Sequence, residues 1–330
     1  MKKSMITPNI DLTADGRHVG DLRVRWSDNS VPLGYHPVSI ASLKNGTGPT
    51  VLLIAGTHGD EFEGPSALMR LLDDLVPKDI SGQIIIIPGL NAPAFRAAKR
   101  VSPLDGVNLN RAFPGDPLGS ITEQIAYYVE TELLPLADAA IDLHSGGQAS
   151  VFAPSTLATR TKDPALFGAN LDLARAFGLP LTWVLGGFND ARSLNSAAER
   201  AGVAMIATEL GGGGGVNPGI TNATEAGLVN MLRHVGLLPG EVALVQPRMV
   251  EITSPDHGLN APGEGVFDRM VSAGETVKAG QVAGRLHYAS ELRRGSETLR
   301  FGHDGFVLAH TNRGYVQRGD MLMVVAQDVP

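Results

Sequence analysis

The amino-acid sequence predicts an α/β fold, a sheet flanked by helices on both faces, followed by a smaller all-β domain. Up to residue 244, short apolar runs alternate with segments of helical periodicity, which is typical of buried strands joined by helices. From residue 245 onward, short strands separated by glycine-containing turns replace that pattern. The chain of 330 residues is also longer than one compact core usually holds. We therefore predict two domains, residues 1–244 and residues 245–330.

Strands and helices alternate through the first domain. The third predicted strand, VLLIAG, is continuously apolar, as expected of a buried parallel strand. A helix is predicted directly after it, because leucines recur there at helical spacing. The predicted strands are residues 21–26, 37–43, 50–56, 83–89, 139–145, 181–185 and 203–210. The predicted helices are residues 64–76, 121–134, 164–177, 193–200 and 222–234.

The second domain is predicted to be a β-rich barrel or sandwich. Residues 274–280 and 314–320 resemble the glycine turns of biotinyl/lipoyl-like modules. Carrier modules of that kind present a modifiable lysine in a characteristic motif at a hairpin tip, and this motif is not apparent here. We therefore expect a structural or lid role for this domain.

The composition limits the classes of function. The net charge is -7 and the sequence lacks a cluster of Lys and Arg, so a nucleic-acid surface is not expected. Because there is no cysteine, disulfides and thiolate metal sites are excluded, and any metal must rest on histidines and carboxylates. The sequence has neither the apolar stretch of a signal peptide nor a run as long as a membrane span. We expect a soluble, cytoplasmic protein with no membrane partner.

The strongest motif is AGTHGDEFEG, residues 55–64, which follows a buried strand and precedes a helix. Ligands commonly bind outside the carboxyl ends of strands in open α/β sheets. His58 and Glu61 are three positions apart in this glycine-rich turn, so an imidazole and a carboxylate can reach one ion. The alternative is an ordinary turn with a solvated histidine, followed by acidic residues that suit the start of a helix.

A second strand end, IDLHSGG, supplies a third candidate ligand, His144. With His58 and Glu61 it completes a set of two histidines and one carboxylate, which suits catalytic zinc with one position open for water. Asp142 lies two positions earlier, and two roles are open for it. It could orient a metal ligand, or it could be a helix cap or a buried partner.

Glu209 is the candidate catalytic carboxylate. In ATELGGGGG, an apolar strand delivers Glu209 to a loop of five glycines. A carboxylate beside a water at the metal can take the proton of that water and later hand it to the leaving amine, as amide hydrolysis requires. The alternative is an exposed glutamate at a strand end.

The motif NLNRAFPG, residues 108–115, carries a candidate substrate clamp. The planar guanidinium of Arg111 beside the amide of Asn110 suits the binding of a substrate carboxylate. A loop arginine taken alone is more often a surface residue. Arg96 and Arg100 lie just upstream, and either could contact the substrate or face water.

In this order, the motifs resemble the succinylglutamate desuccinylase and aspartoacylase family, which is similar to zinc carboxypeptidases in its catalytic domain. The resemblance covers residues 45–235 by motif, and the β-rich tail is also similar to the family's second domain. It implies a zinc carboxypeptidase-like mixed sheet and one Zn2+ per chain. The implied roles are zinc binding by His58, Glu61 and His144, catalysis by Glu209, and substrate binding by Asn110, Arg111 and Arg100.

The resemblance also implies a function, the hydrolysis of the amide bond of a small N-acyl amino acid. GTHGDEFEG and TELGGGGG are most similar to the branch that deacetylates N-alpha-acetyl-L-2,4-diaminobutyrate in ectoine degradation. The alternatives are an aspartoacylase- or desuccinylase-type deacylase of an acidic amino acid, and a non-catalytic metal-containing binding protein. An acidic substrate would need a second cationic contact, whereas diaminobutyrate would need an acid. The expected partner is a small molecule, and a homo-oligomer is compatible with the sequence.

Overall fold

The computed structural model describes residues 3–27, 32–187 and 189–329. Its α-helices are α1 (Glu63–Asp74), α2 (Ala92–Arg96), α3 (Ile121–Tyr128), α4 (Pro164–Phe177), α5 (Leu194–Ala201) and α6 (Pro218–His234). The strands of the α/β region are β1 (Thr7–Pro8), β2 (Gly16–Trp26), β3 (Gly34–Asn45), β4 (Thr50–Ala55), β5 (Gly82–Ile87), β6 (Ala139–His144), β7 (Ser150–Phe152), β8 (Ser155–Thr159), β9 (Leu181–Leu185) and β10 (Ala204–Glu209). The strands of the tail are β11 (Arg248–Glu251), β12 (Gly258–Asn260), β13 (Gly265–Arg269), β14 (Thr276–Val277), β15 (Val282–His287), β16 (Ser296–Arg300), β17 (Gly305–Thr311), β18 (Tyr315–Val316) and β19 (Met321–Asp328). None of these helices has the length and apolarity needed to span a membrane.

A large mixed sheet organises the molecule. Its strand order is β1-β2-β3-β5-β4-β6-β10-β8-β9-β11-β19-β17-β14, with β12 beside β19 and β7 beside β17. At its centre, β4 pairs in parallel with β5 and with β6, and β6 pairs in parallel with β10. The neighbouring β8 runs antiparallel to β10, so the sheet is mixed and not purely parallel.

Helices cover both faces of the central strands. Along β4, Leu52 and Ile54 pack into one apolar cluster, and Val51 and Leu53 pack into another. This division follows from the alternation of side chains along a strand. The first cluster contains side chains of α3 and α5, and the second contains side chains of α1, α4 and α6. The predicted α/β class, with helices on both faces, is confirmed.

Most predicted elements are present, with small shifts in their bounds. The helix Pro164–Phe177 and the strand Leu181–Leu185 begin and end where the sequence predicts. The helix predicted over residues 121–134 is α-helical only to Tyr128 and continues as a π turn over Val129–Leu133. The strands β7 and β8 were not predicted, because the short sequence STLAT of β8 contains no apolar run.

The tail contains a second, antiparallel sheet of β16, β15, β13 and β18, which confirms the β-rich C-terminal region. Its core includes Phe267, Leu286 and Leu322. The large sheet also continues into the tail, because β11 pairs in parallel with β9 and antiparallel with β19. The division into two domains between residues 244 and 245 stays a prediction.

Candidate metal centre and active site

Three neighbouring parallel strands end at the candidate site. The turn after β4 carries His58 and Glu61, β6 ends at His144, and β10 ends at Glu209. In the pairing of β10 with β6, Glu209 lies directly opposite His144. The carboxyl ends of parallel strands share one edge of the sheet, which is where α/β proteins bind ligands. The structure therefore brings these four residues together.

Glu61 lies between the two histidines. Its Oε1 is 2.8 Å from Nδ1 of His58, and its Oε2 is 2.9 Å from Nδ1 of His144. One ligand atom from each of the three residues lies within 4.8 Å of the others. All three side chains are buried, with 2% to 5% of each residue exposed. A buried group of this composition could bind a metal ion.

The outer nitrogen of each histidine contacts an oxygen, which identifies the tautomer that suits metal binding. Nε2 of His144 is 2.8 Å from a carboxylate oxygen of Asp142, which can only accept, so this nitrogen donates. Nε2 of His58 is 3.1 Å from Oδ1 of Asn108 and donates in the same way. With Nε2 as the donor, the Nδ1 of each ring faces Glu61, where a metal ion would take the place of a proton. Of the two roles open for Asp142, the structure favours that of orienting a ligand.

Two glycines shape the turn that carries His58 and Glu61. Gly56 has a φ of 69°, a conformation that residues with a side chain rarely adopt. A Cβ atom at Gly59 would lie 2.0 Å from the backbone of Ala94, so only glycine allows α2 to approach this turn. The backbone N–H of Ser145 donates to Oε2 of Glu61 at 3.1 Å and ties the turn to the end of β6.

Opposing charges dominate the site. Burial would raise the pKa of Glu61, but the neighbouring imidazoles of His58 and His144 hold it well below its usual range. Burial would lower the pKa of His144, but the carboxylates of Asp142 and Glu61 raise it well above its usual range. These shifts show that the site favours an anionic Glu61 and a positive charge beside it.

Glu209 presents one buried carboxyl oxygen that has no hydrogen-bond partner in the described parts of the chain. Its Oε2 is buried and accepts no hydrogen bond from the described residues. Burial, reinforced by the charge of Glu61, raises the pKa of Glu209 well above its usual range. A carboxyl group with a raised pKa and an unused oxygen is suited to exchanging protons with a bound molecule.

The glycines after Glu209 allow the loop to pack closely beside the site. Four successive residues, Gly211 to Gly214, have φ between 75° and 138°. A Cβ atom at Gly212 would lie 2.2 Å from the carbonyl oxygen of Ser150. The loop therefore needs glycine both for its backbone angles and for its contact with the segment that follows His144.

Asn110 and Arg111 lie at the rim of the same site. Nδ2 of Asn110 is 3.4 Å from Nε2 of His144, and its Oδ1 accepts the backbone N–H of Leu194 at 2.9 Å. The amide group of Asn110 is therefore oriented with its NH2 group towards His144. The side chain of Arg111 is 44% exposed, and its Nε is 3.1 Å from Oδ2 of Asp190.

The two upstream arginines differ in position. Nη1 of Arg100 is 3.3 Å from Oε1 of Glu61, and half of the Arg100 side chain is exposed. Arg100 therefore lies at the opening of the site. Nη2 of Arg96 contacts Nδ1 of His36 at 3.2 Å. Arg96 is not among the described residues that line the cavity.

A cavity of about 690 Å³ opens above the buried histidines and Glu61. Glu209, Arg100, Asn110 and Arg111 line it together with an apolar wall. The wall is formed by Phe152, Leu157, Trp183, Leu185, Met321 and Val324. Met321 and Val324 belong to β19, so the tail contributes directly to the cavity.

Two polar residues at this site, Asn108 and Asp190, could not be identified from the sequence. Asn108 belongs to the motif NLNR, but its contact with His58 spans 50 positions and no local pattern indicates it. Asp190 follows β9 in a loop without a motif, and only the folded chain brings it to Arg111.

Comparisons with known proteins agree with this fold. The protein-family model for the succinylglutamate desuccinylase/aspartoacylase catalytic domain matches residues 47–235 of this chain. The N-alpha-acetyl-L-2,4-diaminobutyric acid deacetylase of Halomonas elongata is 36% identical over 330 residues, which cover 99% of this chain and 96% of that protein. The product-bound ectoine utilization protein EutE of Ruegeria pomeroyi superimposes with a TM-score of 0.95 at 36% identity, covering 99% and 100% of the two chains. A succinylglutamate desuccinylase of a Silicibacter species gives a TM-score of 0.95 at 35% identity, with both chains covered completely.

Fold, site and relatives together define the class of this protein, which is an amidohydrolase. The chain belongs to the succinylglutamate desuccinylase/aspartoacylase family.

Proposed function

We propose that this enzyme uses one zinc ion, held by His58, Glu61 and His144, to deacetylate N-alpha-acetyl-L-2,4-diaminobutyrate. One observation carries the proposal. The Nδ1 atoms of both histidines converge on the carboxylate of Glu61 at the floor of a cavity that also contains the carboxyl group of Glu209. The choice of substrate is supported by the 36% identity to the Halomonas elongata deacetylase and by the similarity to an ectoine utilization protein.

The donor set suits zinc. Two neutral imidazoles and one carboxylate leave a further coordination position open, which is the arrangement of catalytic zinc sites. The contacts of Asp142 and Asn108 with the outer nitrogens keep both imidazoles in the tautomer that can bind a cation. When bound, zinc would polarise the amide carbonyl and lower the pKa of a water molecule.

Glu209 is the proposed proton carrier. Its carboxylate accepts a proton from the water that attacks the carbonyl carbon, and it then donates this proton to the nitrogen of the leaving amine. Because burial raises the pKa of Glu209, its carboxylate is a stronger base than that of an exposed glutamate, which suits the first step. A single carboxyl group thereby serves as base and then as acid.

Three polar side chains are proposed to orient the substrate. Arg111 and Asn110 bind the α-carboxylate, since a guanidinium beside an amide N–H donor matches the geometry of a carboxylate. Arg100 lies beside Glu61 at the cavity opening and shares the negative charge that develops on the carbonyl oxygen. Fixing the substrate in this way supplies part of the rate enhancement by orientation alone.

A second candidate function is the deacylation of an N-acylated acidic amino acid. The observation that favours it is the presence of two arginines, Arg100 and Arg111, in the cavity lining. The second guanidinium could bind the side-chain carboxylate of aspartate or the distal carboxylate of a succinyl group.

A panel of substrates tests both candidates. We expect the zinc-loaded protein to release acetate from N-alpha-acetyl-L-2,4-diaminobutyrate with a kcat/KM at least about tenfold above that for N-acetylaspartate or N-succinylglutamate. A factor of this size corresponds to one polar contact that the enzyme makes with the first substrate and not with the others. A higher kcat/KM for either acidic substrate would replace the first candidate with the second. Turnover of none of the three would reject both.

The role of Glu209 is tested by Glu209→Gln. We expect the variant to keep its zinc while kcat falls by about 10² to 10⁴, the usual contribution of a general acid–base group. Glu241→Gln, at an exposed position, is the matched control and should leave kcat unchanged.

The role of His58 is tested by His58→Ala. We expect this variant to lose zinc in elemental analysis, and full zinc retention would remove His58 from the ligand set.

A further inference from the structure

Asp190 is surrounded by the donors of two arginines. Its Oδ2 is 3.1 Å from Nε of Arg111 and accepts Nη2 of Arg192 at 2.9 Å. Its Oδ1 accepts the backbone N–H and Nε of Arg192 at 2.9 Å and 3.0 Å. The three contacts with Arg192 are hydrogen bonds, and the contact with Nε of Arg111 is an ion pair. The same contacts, chiefly those of Arg192, hold the pKa of Asp190 far below its usual range and keep it ionised.

The loop that contains Asp190 also holds the backbone on either side of Arg111. The backbone N–H of Leu194 donates to Oδ1 of Asn110 at 2.9 Å, and the N–H of Phe113 donates to the carbonyl oxygen of Arg192 at 3.2 Å. Residues 110–113 therefore rest on residues 190–194 through contacts at both ends and through the Arg111 side chain in the middle.

These contacts leave one edge of the Arg111 guanidinium available. Its Nε contacts Asp190, and its Nη1 donates to the carbonyl oxygen of Asn110 at 2.5 Å. A guanidinium has five N–H donors, so Nη1 and Nη2 together retain three, and one of these on each nitrogen can face outwards. That edge can bind a carboxylate through two parallel hydrogen bonds. Without Asp190, a side chain that is 44% exposed would sample several rotamers and would lose conformational entropy on binding.

The charge balance is compatible with anion binding. Asp190 carries one negative charge and is shared by Arg111 and Arg192, so the three side chains together keep one positive charge. Asp190 can therefore orient Arg111 without cancelling its attraction for a carboxylate.

We propose that Asp190 is a positioning residue that fixes the Arg111 guanidinium for the α-carboxylate of the substrate, which gives the enzyme its preference for N-acyl amino acids over N-acyl amines. This inference rests on the proposed function, because it assumes that Arg111 binds the substrate. The three hydrogen bonds and the ion pair that Asp190 already makes with Arg192 and Arg111 speak against the rival role, direct recognition of the substrate's distal ammonium group.

The test compares Asp190→Asn with the wild type on three substrates of the zinc-loaded enzyme. With N-alpha-acetyl-L-2,4-diaminobutyrate, we expect KM to rise by about tenfold to a hundredfold while kcat changes little, the range for a lost hydrogen bond to a charged group. With N-acetyl-L-2-aminobutyrate, which lacks the ammonium group, the rise should be equally large. With the carboxamide of N-alpha-acetyl-L-2,4-diaminobutyrate, which lacks the carboxylate, the substitution should have no further effect.

The matched control is Asp172→Asn, which breaks an exposed ion pair with Arg175 on α4 and should leave all three KM values unchanged. A double-mutant cycle with Arg111→Lys adds a second readout, because lysine has no Nε–H to be held. In the Arg111→Lys background, Asp190→Asn should raise KM by less than twofold. If Asp190→Asn does not fold, Asp190→Glu replaces it in all comparisons, since the longer side chain displaces the guanidinium while it keeps the charge.

Three results would overturn the inference. A KM effect that disappears with N-acetyl-L-2-aminobutyrate would assign Asp190 to the ammonium group. An undiminished effect with the carboxamide, or in the Arg111→Lys background, would show that Asp190 acts independently of Arg111 and the carboxylate. Failure of the proposed function is distinguishable, because the wild type would then hydrolyse no N-acyl amino acid or Arg111→Lys would leave KM unchanged.

Discussion

His144 and Asp142 illustrate how a single strand supplies both a proposed metal ligand and the group that orients it. Side chains two positions apart on a strand share one face, so Asp142 lies beside His144 on β6. The hydroxyl of Thr57, at the start of the turn after β4, donates to the carboxylate of Asp142 at 2.9 Å. The turn after β4 thereby holds Asp142 in place through Thr57, and Asp142 in turn orients the imidazole of His144 on its own strand.

We predict that Asp142→Asn lowers the affinity for zinc by about 10-fold to 100-fold, the usual effect of removing a carboxylate behind a histidine ligand. Competition with a chromophoric chelator measures this affinity. Asp73→Asn, on the exposed face of α1, is the control. Unchanged zinc affinity in Asp142→Asn would mean that Asp142 supports the fold and not the metal centre.

For single residues, the sequence predicts membership of the site where a polar side chain ends or follows an apolar strand. His58, His144 and Glu209 end or directly follow apolar strands, and parallel strands must end at the same edge. Asn108 and Asp190 could not be predicted, because their roles depend on contacts with residues 50 and 79 positions away and their own segments are irregular.

Among the secondary-structure elements, β8 shows why a buried strand can escape prediction. All five residues of Ser155–Thr159 are buried, yet three of them are polar. The hydroxyl groups of Thr156 and Thr182 lie 2.8 Å apart and hydrogen bond across the pair of strands. Hydrophobic patterning cannot reveal a strand in which a buried polar side chain such as Thr156 finds its partner only in the folded sheet.

Asp105 connects the loop that precedes Asn110 and Arg111 to the start of α3. Its Oδ2 accepts the backbone N–H of Thr122 at 2.9 Å, and its Oδ1 accepts the Thr122 hydroxyl at 3.0 Å. Burial would raise the pKa of Asp105, but the N–H groups of Thr122 and Val107 lower it below its usual 3.8. The ionised carboxylate therefore stabilises the fold above the pKa of the unfolded chain, and this contribution is lost as the pH falls through the lower, folded pKa.

We predict that Asp105→Ala reduces the free energy of unfolding by about 1 kcal/mol at pH 7, since the group is partly exposed and solvent screens part of its charge. The difference from the wild type should shrink as the pH falls below about 4. Urea unfolding at several pH values measures both effects, with Asp79→Ala as an exposed control. A difference that stays constant with pH would contradict the role assigned to the ionised carboxylate.

For the molecule as a whole, an apolar cluster joins the α/β region to the tail. It contains Leu181 of β9, Val250 of β11 and Leu308 of β17, and all three are buried. The pairing of β7 with β17 crosses the same junction. The sequence could not predict this continuity, because the strands that pair there, such as β9 and β11, are far apart in the chain and their register depends on the folded sheet.

We predict that Leu308→Ala destabilises the protein by about 2 to 5 kcal/mol, the range for removing a fully buried leucine side chain. Because the cluster joins both regions, calorimetry should show one unfolding transition that shifts as a unit. Leu292→Ala, at a position that is 87% exposed, should stay within about 0.5 kcal/mol of the wild type. Two separate transitions, of which only one shifts, would contradict the coupling of the regions.

The contribution of β19 to the cavity wall has a consequence for biosynthesis. On the ribosome, the histidines and Glu61 emerge early, and the sheet around them can form while translation continues. Met321 and Val324, which complete the apolar wall, are added only after more than three hundred peptide bonds have been made. A nascent chain can thus contain the proposed metal ligands long before the apolar wall of the cavity is complete.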